Sequence, residues 1–182
     1  NTVWARRYVN GTWSAAERIS AAPVTDNTFH AFSPAVTTDV NGNILVVWTQ
    51  DDPATATRSI WSARHNGSWG APLRLSEGTR KTYEARVAVD ARGNFIAVWT
   101  QDTNAYDAYG PTQPPGNVIP NVWARRSSAG TWGTAAMIGD AGLVPNDGTS
   151  RPRISMNANG DAAVVWEQTK NGETSIAGNL YR

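Results

Sequence analysis

Cysteine is absent from the 182-residue sequence, which excludes disulfide bonds and thiolate metal sites. Long apolar runs are also absent: the longest span four or five residues, whereas a membrane-spanning helix needs roughly 20. Residues Asn1–Trp4 contain neither the basic nor the apolar part of a signal peptide. We therefore expect no membrane span, and no signal peptide within these residues.

The sequence also lacks an excess of charge of either sign. Sixteen Lys and Arg residues balance fifteen Asp and Glu residues, for a net charge of +1. A nucleic-acid partner would require a concentrated basic face, so we expect none. No segment has the 3.6-residue apolar period of an amphipathic helix, so helices are not expected either.

Tryptophan and turn-forming residues are abundant instead. The sequence has nine Trp, sixteen Gly and ten Pro residues, spread along its whole length. Short strands, frequent turns and periodic aromatic residues are typical of β-propellers and β-barrels.

The sequence contains an internal repeat. Residues 34–50, 85–101 and 152–168 align without gaps. Each has Asp or Asn, Gly three residues later, Trp six residues after that, and Gln two residues further on. These positions are Asp39, Gly42, Trp48 and Gln50; Asp90, Gly93, Trp99 and Gln101; and Asn157, Gly160, Trp166 and Gln168. Recurrence of the Gln in every unit indicates a structural position, such as a side chain bonded to a neighbouring strand.

A second half follows each of these segments. It consists of an apolar strand that ends in Arg, a turn, and Gly-Thr-Trp or Gly-Ser-Trp. The same half opens the chain, and the last copy stops inside it. The sequence therefore predicts a single domain, 1–182, made of units 1–20 (partial), 34–76, 85–138 and 152–182 (partial).

Each complete unit reads as four short antiparallel strands, the second buried on both faces because its apolar run is continuous. The predicted fold is all-β: a β-propeller built from four-stranded antiparallel blades, with about three blade equivalents in this chain. These units resemble the propeller repeats of bacterial secreted and surface proteins. The resemblance implies secretion or display at the cell surface.

Two sugar-handling groups have similar strand entries. Gly11-Thr12-Trp13 and its copies resemble the Asp-box turn of sialidases and the blades of fucose-type bacterial propeller lectins. The Asp-box has one residue between Gly and Thr and carries an Asp, and both are missing here. No catalytic residue is therefore carried over from sialidases.

Six residues are the candidate ligand contacts, because a Trp face stacks on a pyranose ring and an Arg beside it binds hydroxyl groups. They are Trp13, Trp69, Trp132, Arg7, Arg64 and Arg126. Packing at the blade edge is the alternative role for the tryptophans, and a solvated strand end is the alternative for the arginines. Trp48, Trp99 and Trp166 are expected in the core.

The Asp/Asn-Gly loops allow a calcium site or a purely structural turn. None of the three has three carboxylates, and Arg92 would repel a cation from the middle loop. We expect the turn, with no metal and no cofactor.

The leading functional hypothesis is a non-enzymatic, carbohydrate-binding propeller. The alternatives are a scaffold that makes protein–protein contacts within a larger bacterial surface protein, and a sialidase-like glycoside hydrolase. The acidic residues do not recur in pairs that would indicate glycoside hydrolysis.

Counting strands gives thirteen, fewer than a closed ring of four or more blades requires. We expect either a homodimer that closes a six-bladed ring or further blades from a longer chain.

Overall fold

The structure, a computed structural model, describes residues 1–20, 30–52, 57–78, 80–103 and 118–182, and of Asp52 the backbone alone. Within these ranges all secondary-structure elements are β-strands and none is a helix, as predicted. The N-terminal segment contains β1 (Trp4–Ala5), β2 (Tyr8–Val9), β3 (Thr12–Trp13) and β4 (Glu17–Arg18). Sheet 1 contains β5 (Ala31–Thr38), β6 (Ile44–Asp52), β7 (Thr57–Asn66), β8 (Ser68–Trp69) and β9 (Leu73–Arg74).

Two further sheets follow. Sheet 2 contains β10 (Thr82–Val89), β11 (Phe95–Asp102), β12 (Pro120–Ser128), β13 (Thr131–Trp132) and β14 (Ala136–Met137). Sheet 3 contains β15 (Gly148–Met156), β16 (Ala162–Lys170) and β17 (Glu173–Tyr181). All strand pairs are antiparallel. The predicted unit 85–138 includes residues 104–117, which lie outside the described ranges.

Sheets 1 and 2 have four strand positions each, because the fourth position is occupied by two short pieces. In sheet 1 both β8 and β9 pair with β7, and in sheet 2 both β13 and β14 pair with β12. Gly70 and Gly133 follow the first piece and donate to Arg64 O (2.8 Å) and Arg126 O (2.9 Å). Pro72 in the sheet 1 gap has no N–H to continue the ladder. Such interruptions explain why more strands are seen than the sequence predicted.

A β-bulge divides the first strand of each sheet. Ser33, Glu84 and Arg151 occupy equivalent places and have φ angles of 53°, 57° and 52°, in the left-handed region. The pairing register shifts at each of them. The strand extends beyond the bulge, so β5 begins at Ala31, three residues before the predicted start of its unit at residue 34.

Apolar side chains fill the spaces between consecutive layers. One core joins the N-terminal segment to sheet 1, a second joins sheets 1 and 2, and a third joins sheets 2 and 3. The second strand of each sheet supplies the central tryptophans: Trp48 and Trp99 are 0% exposed and Trp166 is 4% exposed. Their predicted core position is confirmed.

The layers form a stack that is not closed into a ring within the described residues. The first strand of sheet 2, β10, contacts the first strands of both neighbouring sheets, β5 and β15, so consecutive sheets meet along this edge, which is called the inner edge. The face of sheet 3 that points away from sheet 2 is not covered by another sheet within the described residues. On this face Val165 is 46% exposed and Ile176 is 73% exposed. Val47 and Ile60, at the equivalent places of sheet 1, are 0% exposed because sheet 2 covers them.

Candidate functional site

The Asp/Asn-Gly loops are closed by their own side chains. Asp90 Oδ1 accepts from the N–H groups of Arg92 (2.8 Å) and Asn94 (2.9 Å), and its Oδ2 accepts from Asn94 Nδ2 (2.7 Å). Asp39 makes the same three bonds within its own loop. Burial alone would raise the pKa of Asp90, but these hydrogen bonds hold it below the ordinary value. The loop geometry supports the structural reading.

The third loop reverses the two side chains. Asn157 takes the Asp position, and its Oδ1 accepts from the N–H groups of Asn159 (2.9 Å) and Asp161 (3.0 Å). Its Nδ2 then donates to Asp161 Oδ2 at 2.9 Å. One donor and one acceptor therefore face each other in all three loops, whichever residue carries the charge.

The loops also touch one another across the sheets. A Cβ added to Gly93 would lie 2.9 Å from Asp39 Oδ2, and one added to Gly160 would lie 3.2 Å from Asp90 Oδ2. Ala91 N–H donates to Ala158 O at 3.2 Å. These glycines serve two purposes, since they have positive φ and leave room for the carboxylate of the preceding unit.

The recurring glutamines hold the buried tryptophans. The Nε1–H groups of Trp48 and Trp99 donate to Gln50 and Gln101 at 2.9 Å each, and the third pair, Trp166 and Gln168, is 3.2 Å apart. The position is structural, as predicted, but the partner is different. Gln bonds the Trp two residues before it on the same strand rather than a neighbouring strand.

Three clefts of similar construction open between consecutive layers. Cleft 1 lies between the N-terminal segment and sheet 1, cleft 2 between sheets 1 and 2, and cleft 3 between sheets 2 and 3. Their volumes are about 360, 160 and 310 Å³. Each has the candidate Arg of one unit, an aromatic side chain, and the first residue of a second strand: Arg7, Trp69 and Ile44 in cleft 1; Arg64, Trp132 and Phe95 in cleft 2; Arg126, Tyr181 and Ala162 in cleft 3.

The arginines in these clefts share an unusual feature. The Nε atoms of Arg7, Arg64 and Arg126 are buried and have no hydrogen-bond partner among the described residues. The Arg64 guanidinium lies 5.3 Å from the ring centroid of Phe95. Arg126 lies 5.0 Å from the Tyr181 centroid and donates to its hydroxyl at 2.5 Å. A buried donor without an acceptor costs about 1–3 kcal/mol, so water or a ligand oxygen is expected against each Nε–H.

The predicted tryptophans occupy different environments. Trp13 is 63% exposed and lines none of the three clefts. Trp69 packs on the core shared with the N-terminal segment and meets the His65 ring edge-on, with centroids 5.2 Å apart. Trp132 packs on the core between sheets 1 and 2. The two half-buried tryptophans thus combine inter-sheet packing with a place in a cleft.

The clefts join residues from different units. Arg7 shares its cleft with Trp69, not with the nearby Trp13, and Arg64 shares its cleft with Trp132. Sequence reasoning selected these residues but not their partners. It also missed Tyr181, which pairs with Ala162 just as His65 pairs with Ile44. Tyr181 is therefore the counterpart of His65 in the repeat, and an alignment of these two positions could have identified it from the sequence.

Asp102 is a further group that the sequence did not distinguish. Burial raises its pKa to about 6, with partial compensation from the charge of Lys81. Its Oδ2 is buried and has no hydrogen-bond partner among the described residues. Asp51, at the same place in sheet 1, is instead paired with Arg58, its Oδ1 3.5 Å from Nε.

Among the described residues, no three or more His, Asp or Glu side chains are grouped in a way that would hold a metal ion. The same part of the chain contains no helix of the length and hydropathy needed to cross a membrane.

Comparison with known proteins identifies the fold. No protein-family model matches the sequence, and no curated protein matches it significantly. A number of solved structures align with most of the chain, among them the three that follow. A Dyadobacter fermentans protein of unknown function is 14% identical, with a TM-score of 0.57 over 85% of this chain and 51% of its own. An ulvan lyase of a new polysaccharide lyase family is 13% identical, with a TM-score of 0.56 over 98% and 49%.

The third is an α-L-arabinanase from Penicillium chrysogenum in complex with arabinobiose. It is 12% identical, with a TM-score of 0.52 over 96% of this chain and 53% of its own. This chain therefore spans about half the length of these structures. At such identities the likeness shows the fold alone, and that fold is of the β-propeller type.

Proposed function

We propose that this chain is a non-enzymatic, carbohydrate-binding part of a β-propeller, and that the clefts between its sheets hold the sugar. The observation that carries the proposal is the buried, unpartnered Nε–H that each cleft arginine presents beside an aromatic side chain. A pyranose offers an apolar face to the aromatic ring and hydroxyl oxygens to the guanidinium. One sugar ring can therefore contact the aromatic side chain and also supply an acceptor for the unpartnered arginine Nε–H.

Clefts 1 and 3 are the proposed binding sites. Their volumes, about 360 and 310 Å³, fall within the range of about 300–1,000 Å³ for small-molecule sites. Cleft 2 is about 160 Å³ and falls below it. Cleft 2 has Phe95 at the position where the smaller Ile44 and Ala162 stand in the other two clefts.

The structural neighbours give independent support for the ligand class. Two of them are named for polysaccharide-degrading activities, an ulvan lyase and an arabinanase. Carbohydrate is therefore a ligand class that this type of propeller accommodates. Secretion or display at the cell surface forms part of the same proposal.

Assembly is a second part of the proposal. The exposed Val165 and Ile176 stand where sheets 1 and 2 bury the equivalent side chains against the next sheet. We propose that a further four-stranded unit covers this face, from a second copy of the chain or from additional repeats. Light scattering tests the version with a second copy. A cooperatively melting monomer of 19.6 kDa would contradict it.

Binding is tested first with a glycan array and then by calorimetric titration of the best glycan. Arg126→Gln should weaken binding to cleft 3, and Trp69→Ala should weaken binding to cleft 1, each about tenfold or more, because each removes a direct contact in that cleft. Arg92→Gln and Trp13→Ala are the matched controls. Both remove the same residue type outside the three clefts, so binding should be unchanged.

Two results would count against the proposal. Failure of the wild-type chain to bind any glycan at millimolar concentration would favour the scaffold alternative. Equal losses in the cleft variants and in their controls would mean that the sugar binds elsewhere. Release of sugar from a chromogenic glycoside would instead support the hydrolase alternative.

A further inference from the structure

The inner edge carries arginines that the cleft sites do not use. Arg86 and Arg153 stand at the same place in β10 and β15, two residues after the bulge residues Glu84 and Arg151. The equivalent residue in β5 is Ala35, which packs on the core between sheets 1 and 2. A position that is apolar in sheet 1 is therefore cationic in the next two sheets.

Arg86 and Arg153 carry the same charge at equivalent places of β10 and β15, and these two strands are in direct contact. The two positive charges therefore repel each other. Partial burial, and next the charge of Arg153, lower the pKa of Arg86, which means that its charged form is disfavoured where it stands. Glu84 offsets only part of this effect. Arg86 is half-buried and Arg153 is exposed, so an anion that joins them would relieve the repulsion at Arg86 while remaining accessible from solvent.

The carboxylates at the bulges are engaged with another residue. Glu84 Oε2 accepts from the backbone N–H of Arg151 at 2.5 Å. Both carboxylate oxygens of Glu167 bind Arg151 Nη1, at 3.0 and 2.8 Å. Arg151 therefore engages Glu84 through its backbone and Glu167 through its side chain, and neither Arg86 nor Arg153 forms an ion pair with a described carboxylate.

Most of the donors of the two arginines remain available. Arg86 Nη1 donates to Ala85 O at 2.8 Å, and Arg153 Nη1 donates to Pro152 O at 3.0 Å. Each bond fixes the guanidinium against its own bulge. Arginine has five N–H donors in a planar fork suited to oxyanions, and among the described residues only the Nη1 atom of each side chain forms hydrogen bonds.

We propose that Arg86 and Arg153 form an anion-binding site on the inner edge that takes the carboxylate or sulfate group of an acidic saccharide. The site lies apart from clefts 1 and 3 and depends on the proposed function only in that its ligand is a saccharide. It makes the chain selective for acidic over neutral glycans.

The test compares polymers that differ only in charge, at about 0.15 M ionic strength. Polygalacturonate is compared with its methyl ester for the carboxylate, and dextran sulfate with dextran for the sulfate. Wild-type chain should bind at least one acidic polymer about tenfold more tightly than its neutral partner, the usual value of a charge-assisted hydrogen bond. Arg86→Gln and Arg153→Gln should remove this preference and leave binding of the neutral polymer unchanged.

Arg92→Gln is the matched control, since it removes one exposed positive charge elsewhere in sheet 2. An equal loss in this control would overturn the proposal in favour of diffuse electrostatic attraction. Equal wild-type affinity for both members of each polymer pair would also overturn it. Melting curves should show that Arg86→Gln and Arg153→Gln remain folded, because each relieves repulsion.

Failure of this site and failure of the clefts give different results. If Arg126→Gln weakens binding of a neutral polymer but no acidic preference exists, the clefts stand and the anion site fails. If an acidic polymer binds through Arg86 and Arg153 while neutral polymers do not bind at all, the anion site stands and the cleft proposal fails.

Discussion

Trp99 donates its indole Nε1–H to Gln101 Oε1 at 2.9 Å, and both side chains are buried. Residues i and i+2 of a strand point to the same face, so the pair forms within one strand and needs no other element to bring it together. The pair satisfies a donor and an acceptor inside the apolar layer between sheets 1 and 2. The same relationship in all three sheets explains why the repeat retains a polar residue after its most buried aromatic one.

Removing the acceptor should therefore destabilise the fold. Gln101→Leu leaves the Trp99 Nε1–H buried and unpaired, and should lower the free energy of unfolding by about 1–3 kcal/mol. Chemical denaturation measures the change. Gln101→Leu combined with Trp99→Phe should cost less than the sum of the two single changes, because Phe has no N–H to satisfy. Strict additivity would mean that the hydrogen bond contributes nothing.

Loss of a central tryptophan should cost more. Trp99→Ala removes a large side chain that is 0% exposed, with an expected loss of about 3–5 kcal/mol. Trp13→Ala is the matched control: its ring is 63% exposed, and the change should stay within about 0.5 kcal/mol. Trp69→Ala should lie between them, at about half the Trp99 value, because its ring is half-buried. Equal losses at all three would contradict the layer arrangement.

The all-β architecture and the central tryptophans could be predicted because the repeat places similar residues at the same register three times. The β-bulges in the first strands could not be predicted from the sequence. Ser33, Glu84 and Arg151 have no side-chain chemistry in common, and none is the Gly or Asn that usually signals positive φ.

The site was predictable only in part, for a different reason. The sequence selected Arg7 and Trp69, but these residues meet across two layers, and a single unit contains no information on how the next one packs. Pairing Arg7 with Trp13 would have been the natural choice from spacing. Arg86 and Arg153 escaped notice because Ala35 breaks the repeat at their position.

The reversed third loop predicts a rescue. Asp90→Asn alone should cost about 1–3 kcal/mol, because its Nδ2 would face Asn94 Nδ2, and the Asn94 amide cannot flip while its Oδ1 accepts from the Ala129 N–H. Asn94→Asp alone would bring two carboxylates together and should cost a similar amount. The double variant recreates the pair seen in Asn157 and Asp161, and should recover most of the loss. Denaturation of the four proteins gives the coupling energy, and a double variant as unstable as the sum would refute the structural role of the pair.

Calcium should leave the melting temperature unchanged. Both carboxylate oxygens of Asp39 accept hydrogen bonds, from the N–H groups of Asn41 and Asn43 and from Asn43 Nδ2. A cation would have to displace these bonds. Melting curves with excess calcium and with chelator should therefore coincide. A shift of several degrees would identify a site, since a ligand that binds only the native state must stabilise it.

Stability should fall with rising pH because of Asp102. Its pKa is about 6 in the folded chain, against 3.8 for the ordinary side chain, so the native state binds the proton more tightly than the unfolded state. Between these values the unfolded chain loses its proton first, and the free energy of unfolding declines as the pH rises through this window. The full decline is reached above the folded-state pKa and amounts to at most about 3 kcal/mol.

Asp102→Asn removes this dependence. The variant should be more stable than wild type at pH 8 and nearly equal to it at pH 4, because wild-type Asp102 is largely neutral at the lower pH. Asp51→Asn is the matched control at the same place in sheet 1. Its carboxylate is partly exposed and paired with Arg58, so its loss should cost a few tenths of a kcal/mol at pH 8 rather than stabilise. Denaturation at both pH values decides the matter: an unchanged difference between wild type and Asp102→Asn would mean that this buried carboxyl titrates normally.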